Sequence, residues 1–219
     1  FEYNKKEHGE AIVQRILAGE NGAIVTDAGM PAISDPGEDL VRLCHDRGVE
    51  VESVPGPCAF STALALSGFP SGRFTFEGFL SVNKPSRREH LISLEKETRT
   101  MLFYEAPHKL GATLRDMNKV FGNREIAIVR EITKIHEEVI RTTLDEAVEK
   151  YADGSVKGEI VLVIKGAEPE KTEDNMTVEQ AIECARHSVE SGMSVSEAAK
   201  QAAKLSGYKK GDIYKALLD

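Results

Sequence analysis

No run of apolar residues in this chain approaches the roughly twenty needed to span a bilayer as a helix, which argues against a helical membrane protein. The opening stretch, Phe1-Glu2-Tyr3-Asn4-Lys5-Lys6, has neither the apolar core nor the cleavage pattern of a secretory signal, and a cytoplasmic location is expected. Cysteine is scarce. Cys44, Cys58 and Cys184 lie far apart without C-x-x-C spacing, which suits free thiols packed as small hydrophobes and no disulfide framework. Positive charge is in deficit: 28 Lys and Arg against 36 Asp and Glu give a formal net charge of −8. Affinity for phosphate backbones comes largely from Lys and Arg releasing counterions, so an undirected nucleic-acid binder is disfavoured and any RNA contact must be local. No G-x-G-x-x-G pattern follows a strand, which weakens a Rossmann dehydrogenase. No His/Cys/Asp cluster has ligand spacing, and no metal is expected.

What the chain does have is an ordinary globular balance, 41% hydrophobic and 29% charged over 219 residues, enough for one large α/β domain or two smaller ones. Because it begins at Phe and enters a helix before any strand, a preceding N-terminal piece is expected. Helical spacing of Ala11, Ile12, Ile16 and Leu17 predicts a helix over 4–18, closed by Gly19. Ala23-Ile24-Val25-Thr26 predicts a buried parallel strand, and Asp35-Pro36 an N-cap with first-turn proline for a helix over 38–47. A strand over 49–54 and a small-residue helix over 58–67 follow.

This alternation predicts a parallel sheet with crossover helices, whose ligands sit beyond the carboxyl ends of the strands. At Arg73 the rhythm changes, and the basic, turn-rich junction Asn83-Lys84-Pro85-Ser86-Arg87-Arg88 falls near a boundary. Beyond it the pattern predicts helices near 86–97, 107–121 and 145–151, with strands at 100–104, 125–130, 138–143 and 159–164. Two of those strands are joined without a helix, so this second sheet should be mixed. Residues 167–175 read as a charged linker. Thr177 with Gln180 and Ser194 with Glu197 have capping-box spacing at the head of a helix–turn–helix pattern. The expected division is therefore 1–72 (α/β, incomplete, its first strand missing), 73–166 (α/β, mixed) and 176–219 (helical).

Five blocks carry chemistry. They are Val25-Thr26-Asp27-Ala28-Gly29-Met30-Pro31-Ala32-Ile33-Ser34-Asp35-Pro36-Gly37, Val54-Pro55-Gly56-Pro57-Cys58-Ala59, Phe103-Tyr104-Glu105-Ala106-Pro107-His108-Lys109, Arg130-Glu131-Ile132-Thr133-Lys134, and Lys157-Gly158-Glu159-Ile160-Val161-Leu162-Val163. The first is too long and too rich in Gly, Pro and Asp for a tight connection. In this order they resemble the ribosomal-RNA cytidine 2′-O-methyltransferase branch of the tetrapyrrole methylases, over about residues 5–165. The helical tail is similar to that branch's appended domain. Two features depart from the pattern: the family's opening strand with its Thr-Pro-Ile-Gly-Asn-like loop has no counterpart, and Cys58 stands where Ser is common.

The resemblance implies an S-adenosylmethionine-dependent methyltransferase built from two α/β subdomains, acting on 16S ribosomal RNA in the small ribosomal subunit and assembling as a homodimer. It implies cofactor contacts from Asp27, Gly29, Met30, Pro31, Ile33, Pro55, Gly56, Cys58 and Ala59 in the first subdomain, and from Tyr104, Gly158 and Glu159 in the second. The chemistry itself suggests that Glu105, Glu131 or Lys134 assists removal of the ribose proton. Bland roles stand beside these: Asp27 as a turn former, Asp35 as a cap, Pro55-Gly56-Pro57 as a rigid turn, and Lys134 and His136 as solvated hairpin residues. Lys84, Arg87 and Arg88, and in the tail Lys200, Lys204, Lys209, Lys210 and Lys215, are the candidate RNA surfaces. The alternatives are a porphyrinoid C-methyltransferase, and a non-enzymatic regulator that binds DNA through its last helices.

Overall fold

The apolar runs of the central sequence form one five-stranded sheet in a computed structural model that describes residues 2–154, 156–169 and 176–218, with backbone alone for 2–7. Its strands are β1 (Phe74–Phe79), β2 (Thr100–Glu105), β3 (Glu125–Arg130), β4 (Glu138–Thr143) and β5 (Ile160–Ile164), in the spatial order β1-β2-β5-β3-β4. β1 and β2 are parallel and every other pair is antiparallel, so the sheet is mixed, as two strands joined without a helix require. β5 comes last in sequence but lies near the middle of the sheet. All five of its side chains are buried, which is why Ile-Val-Leu-Val-Ile shows no alternation with polar residues.

Nine helices complete the described elements: α1 (Glu2–Leu17), α2 (Glu38–Asp46), α3 (Ala59–Ser67), α4 (Lys84–Ser93), α5 (Leu110–Phe121), α6 (Leu144–Lys150), α7 (Val178–Glu190), α8 (Val195–Ser206) and α9 (Lys210–Leu218). A single 3₁₀ turn, Pro107–Lys109, precedes α5. Period-two alternation in β2, β3 and β5 sends Leu102, Ala127, Val129, Val161 and Val163 to one face, where Ala63 and Leu64 of α3 cover them. Met101, Phe103, Ile126, Ile128 and Leu162 go to the other, under Leu91 of α4, Leu110, Leu114 and Met117 of α5, and Leu144 of α6.

Two expectations change here. The segments 23–26 and 49–54 are not strands; Val25 and Val54 are 85% and 88% exposed. A parallel strand is held by ladder bonds to a neighbour and by cover on its faces, and neither segment has a ladder partner among the described residues. Arg87 is the second correction. It is buried and pairs with Asp116 of α5, its Nε and Nη2 donating to Oδ2 at 2.8 and 2.6 Å, so it holds α4 on α5 and is withheld from RNA, whereas Lys84 and Arg88 are exposed.

By its internal contacts the chain divides into two compact units, Phe1–Glu168 and Pro169–Asp219. Of the linker expected over 167–175, residues 170–175 lie outside the described ones. In the second unit α7, α8 and α9 close on Ala181, Ala185, Ala198, Ala199, Ala202 and Ile213. Its caps are those the spacing predicts: Thr177 and Gln180 form a reciprocal capping box, and Ser194 accepts from the Glu197 amide. Among the described residues no helix is long and apolar enough to cross a membrane.

Leu114 is fully buried between α5 and the sheet. Leu114→Ala should lower stability by about 2–5 kcal/mol, the usual cost of a large-to-small core change. Urea titration reads this as a lower midpoint; a midpoint equal to the parent's would contradict the packing described.

Candidate active site at one end of the sheet

β2 and β3 finish, and β5 starts, at the same end of the sheet. Tyr104 lies opposite Val161, and Val161 also lies opposite Val129, so the ends of β2 and β3 are two strand spacings apart, about 10 Å. On the α3 face the ring of Tyr104 meets Phe76 edge-on at 4.9 Å and Phe79 at 5.4 Å, and Phe76 stacks on Phe60 at 4.5 Å. The Tyr104 hydroxyl accepts from the Phe60 amide at 3.2 Å. α3 starts from an extended Cys58 that provides no side-chain cap. The Ala59 amide has no partner among the described residues, so it is one of the unsatisfied donors that open a helix. Burial first, with Cys58 and Asp35 adding to it, pushes the Tyr104 phenol up to about 12, and it stays neutral at physiological pH.

Two loops close on this corner. Gly29 has φ +80°, and a Cβ built there would sit 3.6 Å from the Pro57 carbonyl oxygen; the first loop thus lies against the Pro55-Gly56-Pro57 turn with only backbone between them. A Cβ on Gly78 of β1 would sit 3.6 Å from the Ser34 hydroxyl, which ties the far end of the same loop to the sheet. Asp27, Gly29, Ile33, Pro55, Gly56 and Ala59 are exposed, and Met30, Pro31 and Cys58 half-buried, so the corner is not filled by packed side chains. The cap of α2 is Gly37, at φ 145°, and no side chain caps it. Asp35 is therefore not the N-cap its spacing predicts: the chain enters α2 two residues later, and Asp35 stays exposed within electrostatic reach of Tyr104.

Across β5 stands an ionic cluster. Oε1 of Glu131 accepts from the Glu159 amide at 2.9 Å and from the Lys134 ammonium at 3.0 Å, and Lys134 also donates to Glu159 Oε2 at 3.1 Å. The Glu159 amide first and then Lys134 hold the Glu131 carboxyl below its ordinary range, and the same two carboxylates hold the Lys134 ammonium above its own. Glu131 Oε2 has no partner among the described residues. Gly158, at φ +92°, admits this arrangement because any Cβ would overlap the Glu131 carboxylate. Glu131 and Thr133 themselves take positive φ, 54° and 67°, the kind of strained backbone that clusters at functional sites.

Of the site residues expected from sequence, the structure brings the first and second loops together with Tyr104, and Glu131 and Lys134 together with Gly158 and Glu159. Glu105 is placed apart. It points to the opposite face from Tyr104 and is buried there, accepting from the Ala106 amide at 2.7 Å and the Thr113 hydroxyl at 2.5 Å. The aromatic wall of Phe60, Phe76 and Phe79 around Tyr104 escaped sequence reading, although the Phe74-Thr75-Phe76-Glu77-Gly78-Phe79 alternation carried its signal. An open groove between α4 and α5, lined by Arg88, Ile92, Glu95, Asp116, Lys119 and Val120, belongs to the other face of the sheet.

Gly158→Ala should destabilise the protein by about 1–3 kcal/mol through strain at this positive φ, read as a lowered thermal midpoint; an unchanged midpoint would contradict the positive φ at this position. Because the Glu131 value is depressed on folding, its contribution to stability is complete above the ordinary glutamate range and is lost as pH falls through the lowered value. Lys134→Met should move the Glu131 midpoint part of the way back up in a carboxyl-carbon NMR titration, since the Glu159 amide remains. A midpoint that stays put would show that the ammonium does not hold the carboxylate.

The family described as tetrapyrrole (corrin/porphyrin) methylases matches residues 1–148. A ribosomal RNA small subunit methyltransferase I of Thermotoga maritima is 46% identical over 167 residues, covering 76% of this chain and 75% of the relative. A protein of the same name from Halalkalibacterium halodurans is 41% identical over 218 residues, 97% of this chain and 74% of the relative. Among solved structures the methyltransferase CobJ superposes with a TM-score of 0.56 at 18% identity, over 73% of this chain and 70% of that one; diphthine synthase does so at 0.52 and 13%, over 74% and 66%. These two distant likenesses speak for the fold alone. With a family match over residues 1–148 and relatives above 40% identity along most of its length, the chain belongs to the tetrapyrrole methylases, in the branch of the small-subunit ribosomal RNA methyltransferases I.

Proposed function

We propose that this chain methylates small-subunit (16S) ribosomal RNA with S-adenosylmethionine, and that the acceptor is the ribose 2′-hydroxyl of a cytidine. One observation carries the reading: a glycine-walled, open corner suited to a nucleoside lies two strands from a carboxylate–ammonium pair that keeps one carboxylate oxygen unengaged.

The corner fits the cofactor. Gly29 and Gly56 let backbone approach a ligand closely, the Ala59 amide offers a donor to a ligand acceptor, and Tyr104 with Phe76 and Phe79 offers an apolar wall with a neutral hydroxyl at its edge. When bound there, the cofactor supplies a methyl group on a sulfonium. The chain's own part is alignment and proton handling. Lys134 stays charged and offers a positive field to a hydroxyl oxygen that is losing its proton. Glu131 Oε2 accepts that proton. Its depressed basicity makes removal ahead of methyl transfer unfavourable, so the proton passes to Oε2 as the oxygen–carbon bond forms and the hydroxyl becomes strongly acidic. Glu105, with both oxygens engaged on the far face, we assign to holding the start of α5. Recognition of a 2′-hydroxyl also separates RNA from DNA at the acceptor itself.

Small-subunit particles incubated with methyl-labelled cofactor test the acceptor. A 2′-O-methyl group blocks alkaline cleavage of the adjoining phosphodiester, so the label is expected in an alkali-stable dinucleotide that begins with cytidine; label on a base or on a porphyrinoid would overturn the assignment. Glu131→Gln and Lys134→Met should each lower kcat by about a hundredfold, the usual scale for a lost proton-transfer partner. Parent-like rates in both would take this pair out of the chemistry.

A further inference from the structure

The C-terminal unit sorts its charge by helix. α7 carries Glu179, Glu183 and Glu190 against Arg186, whereas residues 191–218 carry five lysines against Glu197 and Asp212. Arg186 is turned toward the last turn of α9, donating to the Ala216 carbonyl at 3.4 Å, where the negative helix end favours it. Glu197 is folded back onto the α8 cap, its Oε2 accepting from Ser194 Oγ at 2.8 Å.

The lysines are ordered by the same packing. Lys210, at the head of α9, donates to Ser196 Oγ at 2.9 Å. Ser196, Lys200 and Lys204 are four residues apart and so lie in one row along α8, about 6 Å per step. Lys210 therefore heads a row that Lys200 and Lys204 continue. The opposite side of α8, with Ala198, Ala199 and Ala202, is buried in the helical core, which leaves the row in solvent, and all three lysines are exposed. Two aromatic rings accompany them: Tyr214, four residues after Lys210 and hence on the same side of α9, is 38% exposed, and Tyr208 in the connecting turn is 37% exposed.

Resting on the reading that the chain acts on ribosomal RNA, we propose that the α8–α9 surface of Lys210, Lys200, Lys204 and Tyr214 grips the substrate RNA, the lysines on backbone phosphates and the tyrosine under an unstacked base. Spaced ammonium groups neutralise phosphates without reading sequence. Exposed aromatics beside spaced lysines fit splayed bases in single-stranded or looped RNA; an acidic protein partner would need the charges and not the rings. This local surface also reconciles RNA binding with a chain of net charge −8.

The test compares the full chain with its Lys200→Gln/Lys204→Gln and Tyr214→Ala variants, binding deproteinised small-subunit ribosomal RNA across a salt series by fluorescence anisotropy. The double lysine variant should reduce the slope of log affinity against log salt by about 1.4, near 0.7 per phosphate contact on a single strand, and weaken binding about tenfold at low salt. The tyrosine variant should weaken binding while keeping the slope. In turnover, KM for RNA should rise with kcat held. Parent-like slope and affinity in the lysine variant, no RNA binding by the parent chain, or poly-glutamate bound by the parent as tightly as RNA would each overturn the surface. If the lysine variant loses RNA affinity but the parent labels no RNA, the surface stands and methyl transfer falls; if the parent labels RNA and the variant binds it as the parent does, the reverse holds.

Discussion

The position of β5 is the constraint on which the site depends. Entering antiparallel between β2 and β3, it pairs Ile160 with both Glu105 and Arg130, and so fixes the ends of two strands that are 25 residues apart in sequence at matched height. The Tyr104 corner and the Glu131 cluster inherit their spacing from that register. A slip of one residue would turn every side chain of β5 to the opposite face and draw Glu159 or Lys165 into the span that is buried on both faces. An entirely apolar Ile-Val-Leu-Val-Ile run flanked by Glu159 and Lys165 has little freedom to slip.

The site then divides its labour by electrostatics. The groups packed on the Tyr104 ring are aromatic, and burial raises its phenol further above the physiological range. Around Glu131 the polar partners are an amide and an ammonium: the Glu159 amide and the Lys134 ammonium stabilise the carboxylate that in turn stabilises the ammonium. Keeping a neutral wall and an ionic cluster on either side of one apolar strand lets each retain its own local polarity, since charges placed among the aromatics would be costly to desolvate.

Much of this was legible from residues alone, and unevenly. β3 and β4 fall where alternation and β-branching put them, and the two caps of the helical unit follow from Thr177-x-x-Gln180 and Ser194-x-x-Glu197. The five motif blocks do converge on one end of the sheet. What the sequence could not show is partnership. The 23–26 and 49–54 runs have strand composition, yet strand formation requires a neighbour, and composition is silent about neighbours. Arg87 and Glu105 looked like available charges; burial against Asp116 and Thr113 is a tertiary fact with no local signature. The same holds for Gly158, whose necessity appears only when the Glu131 carboxylate is seen occupying the space a side chain would need.

The burial of β5 has a dynamic consequence. Local opening in proteins follows the distribution of buried contacts, so exposed loops loosen at little cost while a central strand opens only near global unfolding. The 27–36 and 55–57 stretches are mostly exposed, whereas Glu159 and Gly158 are anchored directly to the first residue of β5. The loop side can thus breathe while the Glu131–Lys134 geometry stays set, so that on the function proposed above exchange of one reactant need not disturb the groups assigned to the other.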